Sequence, residues 1–140
     1  MSVSLNPYIN FRDTAREVMT FYQSVLGGEL NVMTFGDIDG MPMDDAEKSK
    51  VMHSQLNMEN GEILMAADTP NYLEYTPFNG SISLSGDNEA LLRKYWDGLS
   101  DGATIGQPLN QAPWGDTFGM LTDKYGVMWL FNIAGPQPSS

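Results

Sequence analysis

Hydrophobic positions near the start of the chain follow two different periods, and each period predicts an element. Residues 8–11 alternate polar and apolar side chains, which predicts a short strand. Apolar residues then recur at intervals of three and four, which predicts a helix with one buried face. That face contains Ala15, Val18, Met19, Tyr22, Val25 and Leu26. Thr14 and Glu17 match a capping box at the helix start, and Gly27 and Gly28 can end the helix.

A second strand and helix repeat the first pair. Residues 81–85 predict the strand, and residues 89–99 predict the helix, with Asp87 or Asn88 as its cap. Six apolar positions recur after a shift of 73 residues, which indicates an internal duplication unless the match is a coincidence. They are Ile9, Phe11, Val18, Met19, Tyr22 and Leu26, which shift onto Ile82, Leu84, Leu91, Leu92, Tyr95 and Leu99.

Each half also ends in a predicted hairpin. The first joins residues 52–58 to 63–67 through Asn60 and Gly61, and the second joins 118–122 to 127–133 through a turn at Gly126. With a strand after each helix, such as residues 30–35, each half has the order strand–helix–strand–strand–strand. The acidic segment 36–50 is predicted to be a solvated, mobile loop.

This order of elements predicts an α+β fold made of paired βαβββ modules. The repeated halves span about residues 4–68 and 80–134, joined by a linker of about 69–79 that contains Pro70 and Pro77. Neither half looks able to bury its own sheet face alone. We therefore expect one domain over residues 1–140.

Alternation along the strands separates an apolar face from a polar face. Ile9 and Phe11, like Ile82 and Leu84, should lie under the helices, because successive side chains of a strand point to opposite faces. The opposite face carries neutral polar and aromatic side chains, namely Asn6, Tyr8, Asn10, His53, Gln55, Asn57, Ser81, Ser83 and Ser85. A concave polar face predicts a small-molecule site, and a solvated face or a dimer interface is the alternative interpretation.

Composition limits the chemistry that such a site can perform. The 140 residues are 41% hydrophobic, enough for a packed core, and they include no Cys and a single His. Disulfides, thiolate metal sites and a cysteine nucleophile are therefore excluded, and one subunit cannot supply two His ligands to a metal. The net charge of −11 disfavours nucleic acid and anionic membranes and favours neutral or cationic molecules, unless it serves solubility alone.

The beginning of the chain shows no targeting signal. Residues 1–10 lack a basic segment followed by an apolar one. No stretch approaches the roughly 20 apolar residues that a membrane-crossing helix needs. We therefore expect a cytoplasmic protein with no membrane partner.

Five short segments along the chain contain sequence motifs that are similar to those of a known family. They are residues 6–11, 21–22, 26–28, 114–119 and 122–129, and His53 opens a strand before Gly61 in the middle. Together they resemble the PhnB-like branch of the vicinal oxygen chelate superfamily, the group of glyoxalase I and the bleomycin-resistance proteins. Segments 114–119 and 122–129 are the most specific for this branch.

The resemblance implies a cup-shaped, eight-stranded mixed sheet with helices outside, usually in a homodimer. It also implies that active members hold a metal through His, Gln and Glu side chains in the cup. The corresponding positions here fall at or near Asn6 or Pro7, Met65, Ser81 and Leu130, and none is a His or a carboxylate. Since iron, nickel and zinc prefer imidazole and carboxylate donors, we predict no metal and no other cofactor.

Six residues are predicted to bind a small organic ligand. They are Tyr8, Phe35, His53, Gln55, Trp114 and Phe118. Their aromatic rings can stack on a planar molecule. His53 is a general base, a ligand anchor or a structural hydrogen bonder, and Asp68 is a candidate to orient it.

We therefore predict a non-metal small-molecule-binding protein that sequesters a planar neutral or cationic compound, as the resemblance to bleomycin-resistance proteins implies. One alternative is a metal-dependent lyase, isomerase or dioxygenase like glyoxalase I. Another is an interaction module whose cup has lost its role. Bound metal in near-stoichiometric amount would favour the enzyme.

Overall fold

A computed structural model describes residues 2–38, 40 and 43–135 of the chain. The chain divides into two compact units, the first ending at Phe78 and the second beginning at Asn79, within the predicted linker. Each unit is a four-stranded mixed sheet with the predicted βαβββ order, so the α+β fold class is confirmed. Within the described residues, no helix is long and apolar enough to cross a membrane.

The first unit places its main helix against one face of its sheet. In chain order it contains β1 (Tyr8–Phe11), α1 (Ala15–Leu26), β2 (Glu29–Thr34), a 3₁₀ turn (Phe35–Asp37), α2 (Asp45–Lys48), β3 (Val51–Asn57) and β4 (Ile63–Asp68). The strand order is β1-β4-β3-β2, with β1 parallel to β4 and the other neighbours antiparallel. Fully buried side chains from the sheet and from α1 form the core of this unit: Ile9, Val18, Met19, Tyr22, Leu56 and Ala66.

The start of α1 is held by a residue distant in sequence rather than by the predicted capping box. Thr14 occupies the N-cap position, but its side chain makes no capping hydrogen bond. Buried Asp68 at the end of β4 accepts hydrogen bonds from the backbone N–H groups of Ala15 (2.9 Å) and Val51 (3.0 Å). The capping-box prediction is therefore wrong, because a carboxylate from the sheet takes the place at the positive end of the helix.

The C-terminal part of the acidic segment 36–50 is held by buried and ionic contacts. Glu47 of α2 is only 4% exposed; it forms an ion pair with Lys50 and accepts a hydrogen bond of 2.6 Å from the backbone N–H of Asn71. Lys50 also contacts Asp13 at 2.6 Å. The prediction of a wholly solvated loop is wrong here, since a buried ion pair needs fixed partners. Residues 39, 41 and 42 of this segment lie outside the described residues.

The second unit repeats the topology of the first. It contains β5 (Ser81–Gly86), α3 (Glu89–Leu99), β6 (Thr104–Gln111), β7 (Thr117–Thr122) and β8 (Met128–Ile133). The strand order is β5-β8-β7-β6, with β5 parallel to β8, which matches the first sheet and supports the duplication. The helix bounds agree with the prediction, and Asn88 caps α3 by accepting a hydrogen bond from Leu91 N–H at 3.2 Å.

A buried carboxylate organises the turn between β7 and β8. Asp123 accepts hydrogen bonds from the backbone N–H groups of Tyr125 (2.9 Å) and Val127 (3.1 Å). Its second oxygen accepts a hydrogen bond of 2.9 Å from Trp129 Nε1. Gly126 has a positive φ of 90°, which glycine adopts without strain. The segment 122–129 is therefore a turn built around Asp123.

Candidate functional site

Three predicted ligand-binding residues lie together on the face of the first sheet opposite α1. Their strand neighbours Ile9 and Ser54 are fully buried on the α1 side, so Tyr8, His53 and Gln55 point the other way. Tyr8 and Gln55 both pair with Met65, so Tyr8, Met65 and Gln55 form one row across the sheet, and His53 lies beside this row. The rings of Tyr8 and His53 lie 5.8 Å apart between centroids and are tilted by 34°. We call this surface the first open face.

Tyr8 keeps its proton at neutral pH on this face. Its side chain is 44% exposed, and partial burial raises the pKa of the phenol above its usual value. The hydroxyl group is therefore available to donate a hydrogen bond. Together with the imidazole ring of His53, it offers an amphipathic edge against which a planar molecule can pack.

Amide and thioether groups complete the first open face. Gln55 donates a hydrogen bond through Nε2 to Asn57 Oδ1 at 2.8 Å. In β2, Met33 lies opposite His53 and Asn31 lies opposite Gln55. The face can therefore stack a ring and exchange neutral hydrogen bonds, with adaptable Met side chains beside them.

Phe35 occupies a different environment. β2 ends at Thr34, and Phe35 begins the 3₁₀ turn, where its backbone N–H donates a hydrogen bond of 3.1 Å to Lys50 O. Its side chain is buried among the core residues of the first unit. The structure therefore does not bring Phe35 together with Tyr8 and His53 on the first open face.

In the second unit, Phe118 lies on the corresponding face, opposite α3. Cross-strand pairing aligns Ser85, Asn132, Phe118 and Asn110 in one row over all four strands. The adjacent row contains Ser83, Leu130 and Met120. We call this surface the second open face. Asn132 was missed by the sequence reasoning, although its alternation with buried Phe131 and Ile133 was a signal for it.

Trp114 belongs to a tight turn that precedes β7. The turn is closed by hydrogen bonds from Gly115 N–H to Ala112 O (2.9 Å) and from Ala112 N–H to Asp116 O (2.7 Å). Trp114 is 69% exposed, so it lies at the surface and outside the core of the second unit.

Asp116 anchors this turn to the end of the second sheet. Its carboxylate accepts hydrogen bonds from Gly135 N–H (2.8 Å) and from Asn132 Nδ2 (3.1 Å). These bonds, the one from Gly135 first, lower the pKa of Asp116 below its usual value despite partial burial. The carboxylate is therefore ionised at neutral pH and acts purely as an acceptor.

The residues at the superfamily's metal positions do not fit a transition-metal ion. Met65 lies in the row of Tyr8, Ser81 pairs with Met128, and Leu130 pairs with Ser83. These side chains offer a thioether, a hydroxyl and a hydrocarbon, whereas iron, nickel and zinc need imidazole or carboxylate donors. In the part of the chain that is described, no three His, Asp or Glu residues are grouped where they could hold a metal.

Asp68 does not orient His53. Both carboxylate oxygens accept backbone hydrogen bonds, from Ala15 and from Val51, on the side of the sheet that α1 covers. His53 points to the first open face instead. The suggested pairing is therefore wrong, because the register of β3 and β4 puts the two side chains on opposite faces.

A cavity of about 390 Å³ lies beside the first turn of α3. Its walls include Glu89, Arg93, Leu109, Gln111, Thr117 and Gly135. The guanidinium Nε of Arg93 donates a hydrogen bond of 2.8 Å to Glu89, so the main charges of the wall already satisfy each other. Among the described residues, no charged side chain is recorded against the aromatic rings of the two open faces, so these faces are the stronger candidates.

Two βαβββ units with aromatic and neutral polar groups on their open faces define a glyoxalase-like class of protein. The sequence model of the Glyoxalase/Bleomycin resistance protein/Dioxygenase superfamily matches residues 4–131 of the chain. The chain belongs to this superfamily, which confirms the resemblance seen in the sequence.

Several individual proteins are similar over nearly the whole chain. Protein YjdN of Escherichia coli (strain K12) is 25% identical over 146 residues, covering 96% of this chain and 98% of that protein. The crystal structure of protein PA1353 from Pseudomonas aeruginosa is 35% identical, with a TM-score of 0.81 over 94% of this chain and 98% of that one. The PhnB protein from Bacillus cereus shares the fold at 24% identity, with a TM-score of 0.70 over 94% and 100% of the two chains.

Proposed function

We propose that this protein binds a small planar organic molecule, neutral or cationic, without a metal ion, and so sequesters it. The observation that carries the proposal is the row formed by Tyr8, Met65 and Gln55 with His53 beside it, an aromatic and amide surface with no cation. Glu29 pairs with Asn57 at the end of this face and adds a negative charge. Together with the net charge of −11, this favours positive ligands over anions.

A fluorescence titration with three planar dyes tests this proposal. We expect proflavine, a cation, and coumarin, a neutral molecule, to bind, and fluorescein, an anion, to bind at least tenfold more weakly, which corresponds to about 1.4 kcal/mol. Y8A and H53A should weaken proflavine binding about tenfold through lost ring contacts. Y72A is the matched control, because Tyr72 is an exposed tyrosine outside the strands. Absence of binding, or equal effects of Y8A and Y72A, would contradict the proposal.

Metal analysis separates the proposal from a metal-dependent lyase, isomerase or dioxygenase. After growth with added iron, nickel and zinc, the purified protein should hold far less than one equivalent of any of them, since Met65, Ser81 and Leu130 are poor donors. Near-stoichiometric metal together with activity in a glyoxalase assay would favour the enzyme instead.

The proposal also covers the domain organisation, the oligomeric state and the cellular location of the protein. We propose that the two units fold as one domain and that the chain forms a homodimer in the cytoplasm, as the superfamily resemblance and the acidic composition suggest. Light scattering coupled to gel filtration should give twice the chain mass of 15.5 kDa. Cell fractionation should recover the protein with the cytoplasm, and a monomer or a membrane-associated pool would contradict this part.

A further inference from the structure

Asn132 presents a hydrogen-bond acceptor on the second open face. Asn132 lies on β8 directly opposite Phe118 on β7, and directly opposite side chains of neighbouring strands are about 5 Å apart at Cβ. The amide group is half-buried, and its one hydrogen bond among the described residues runs from Nδ2 to Asp116 Oδ2 at 3.1 Å. Oδ1 therefore remains available to a ligand.

The chemistry of Asp116 fixes which end of the Asn132 amide faces that ligand. The ionised carboxylate can only accept hydrogen bonds, and it also holds Gly135 N–H at 2.8 Å. An amide turned the other way would point Oδ1 at Asp116 and bring two acceptors together. Nδ2 must therefore face Asp116, and Oδ1 must face away from it.

The surroundings of Asn132 favour an aromatic ligand that donates a hydrogen bond. The four strands of the second sheet contain no Lys, Arg, Asp or Glu, so no cation there can pair with an anionic ligand. Phe118 supplies a ring, and Leu130 and Met120 in the next row supply apolar contact. Ser85 and Asn110 end the row of Asn132 with neutral polar groups.

We infer that the second open face recognises planar ligands that donate N–H groups, through Asn132 Oδ1 with Phe118 against the ring, and that Asp116 is the positioning residue. This inference rests on the proposed function and adds to it a second binding surface, in the second unit, with its own ligand class. An aromatic amine or amidine fits such a face. A carboxylate or phosphate ester of the same ring does not, because it would place an acceptor against Oδ1.

Two dyes that share a ring and a charge but differ in their exocyclic amino groups test the inference. Proflavine carries two primary amino groups, and acridine orange has the same ring and charge with those groups fully methylated. We expect the protein to bind proflavine about tenfold more tightly than acridine orange, a difference of about 1.4 kcal/mol. N132L, which has a similar volume and no acceptor, should bring this ratio to about one, with thermal melting used to confirm that the variant is folded.

D116N tests the positioning role of Asp116 and leaves Asn132 itself unchanged. The substituted side chain can donate an N–H to Asn132, whose amide then turns and presents Nδ2 instead of Oδ1 to the ligand. The dissociation constant of acridine orange divided by that of proflavine should fall from about ten to one or lower. A purely structural loss would weaken the binding of both dyes equally and leave this ratio unchanged. D101N makes the same change of charge at an exposed carboxylate paired with Lys124, and it should keep the wild-type ratio.

The outcomes separate this inference from the proposed function. A wild-type ratio near one, with both dyes bound, overturns the inference and leaves the proposed function standing. Tenfold selectivity that persists in N132L or in D116N also overturns it. Failure of both dyes to bind the wild type overturns the proposed function and the inference together.

Discussion

The indole Nε1 of Trp129 donates a hydrogen bond of 2.9 Å to Asp123, and both side chains are almost completely buried. Asp123 also accepts two backbone N–H groups, from Tyr125 and Val127. The most specific motif of the sequence is thus a turn whose three donors converge on one carboxylate. An apolar residue at position 123 would leave these donors without an acceptor in a dry environment.

D123A should therefore be strongly destabilising. Each buried donor left unsatisfied costs about 1–3 kcal/mol, so we expect the free energy of unfolding to fall by about 3–5 kcal/mol. Urea denaturation followed by circular dichroism measures this. D101A removes an exposed carboxylate from the same unit and should change the value by less than about 0.5 kcal/mol. A loss below about 1 kcal/mol in D123A would show that the turn does not depend on this carboxylate.

The second prediction concerns the N-terminus of α1, where the sequence favoured Thr14 as the cap and the structure shows Asp68 in that role. D68A should lower the free energy of unfolding by about 2–5 kcal/mol, because the buried N–H groups of Ala15 and Val51 lose their acceptor. T14A should cost less than about 0.5 kcal/mol, since the exposed Thr14 side chain makes no capping bond, whereas a working cap would cost about 1 kcal/mol. The reverse order of the two effects in urea titrations would restore the capping box.

The paired glycines after α1 have different roles and give a third prediction. Gly27 has φ 76° and ψ −170° with open space around a Cβ, so G27A should cost about 1–3 kcal/mol of backbone strain. Gly28 also has a positive φ, and a Cβ there would lie 2.2 Å from the carbonyl oxygen of Asn57 in β3. G28A should therefore destabilise the protein clearly more than G27A in the same urea assay. Equal losses would mean that the chain can move away from Asn57.

Local signals account for what the sequence predicted well. The bounds of α3 follow from its apolar stripe and from Asn88, whose capping bond spans three residues. The Asp68–Ala15 bond joins residues far apart in sequence, and no local pattern announces it. Capping propensity favoured Thr14, but a buried carboxylate from a neighbouring strand prevailed.

The candidate site shows the same division between local and long-range information. Period-two alternation placed Tyr8, His53 and Gln55 on one face, and it also marks Asn132. Phe35 was expected to face the ligand, yet the strand ends one residue earlier and the ring turns into the core. The contact of Asp116 with Asn132 depends on where the turn of Trp114 folds back, which alternation does not determine.

The buried ion pair of Glu47 gives a fourth prediction, on pH. Hydrogen bonds from Lys50 and from Asn71 N–H lower the pKa of Glu47, so the unfolded chain binds its proton more readily than the folded one. The stabilisation is present above the unfolded value of about 4.3 and is lost as pH falls through the lower folded value. E47Q should therefore flatten the decline of melting temperature with pH below about 5.

The control for E47Q is a charge-matched change at the surface. E74Q alters an exposed carboxyl and should keep the wild-type slope of melting temperature against pH. A slope in E47Q as steep as that of the wild type would show that the pair of Glu47 and Lys50 does not couple folding to protonation.

The fifth prediction tests whether the two units fold as one domain. All three Trp residues of the chain, Trp96, Trp114 and Trp129, lie in the second unit, so Trp fluorescence reports the unfolding of that unit alone. D68A removes hydrogen bonds that lie wholly within the first unit. If the units unfold cooperatively, D68A must shift the fluorescence midpoint in urea as far as the midpoint from circular dichroism. A fluorescence transition that stays at the wild-type urea concentration would instead show that the second unit unfolds independently of the first.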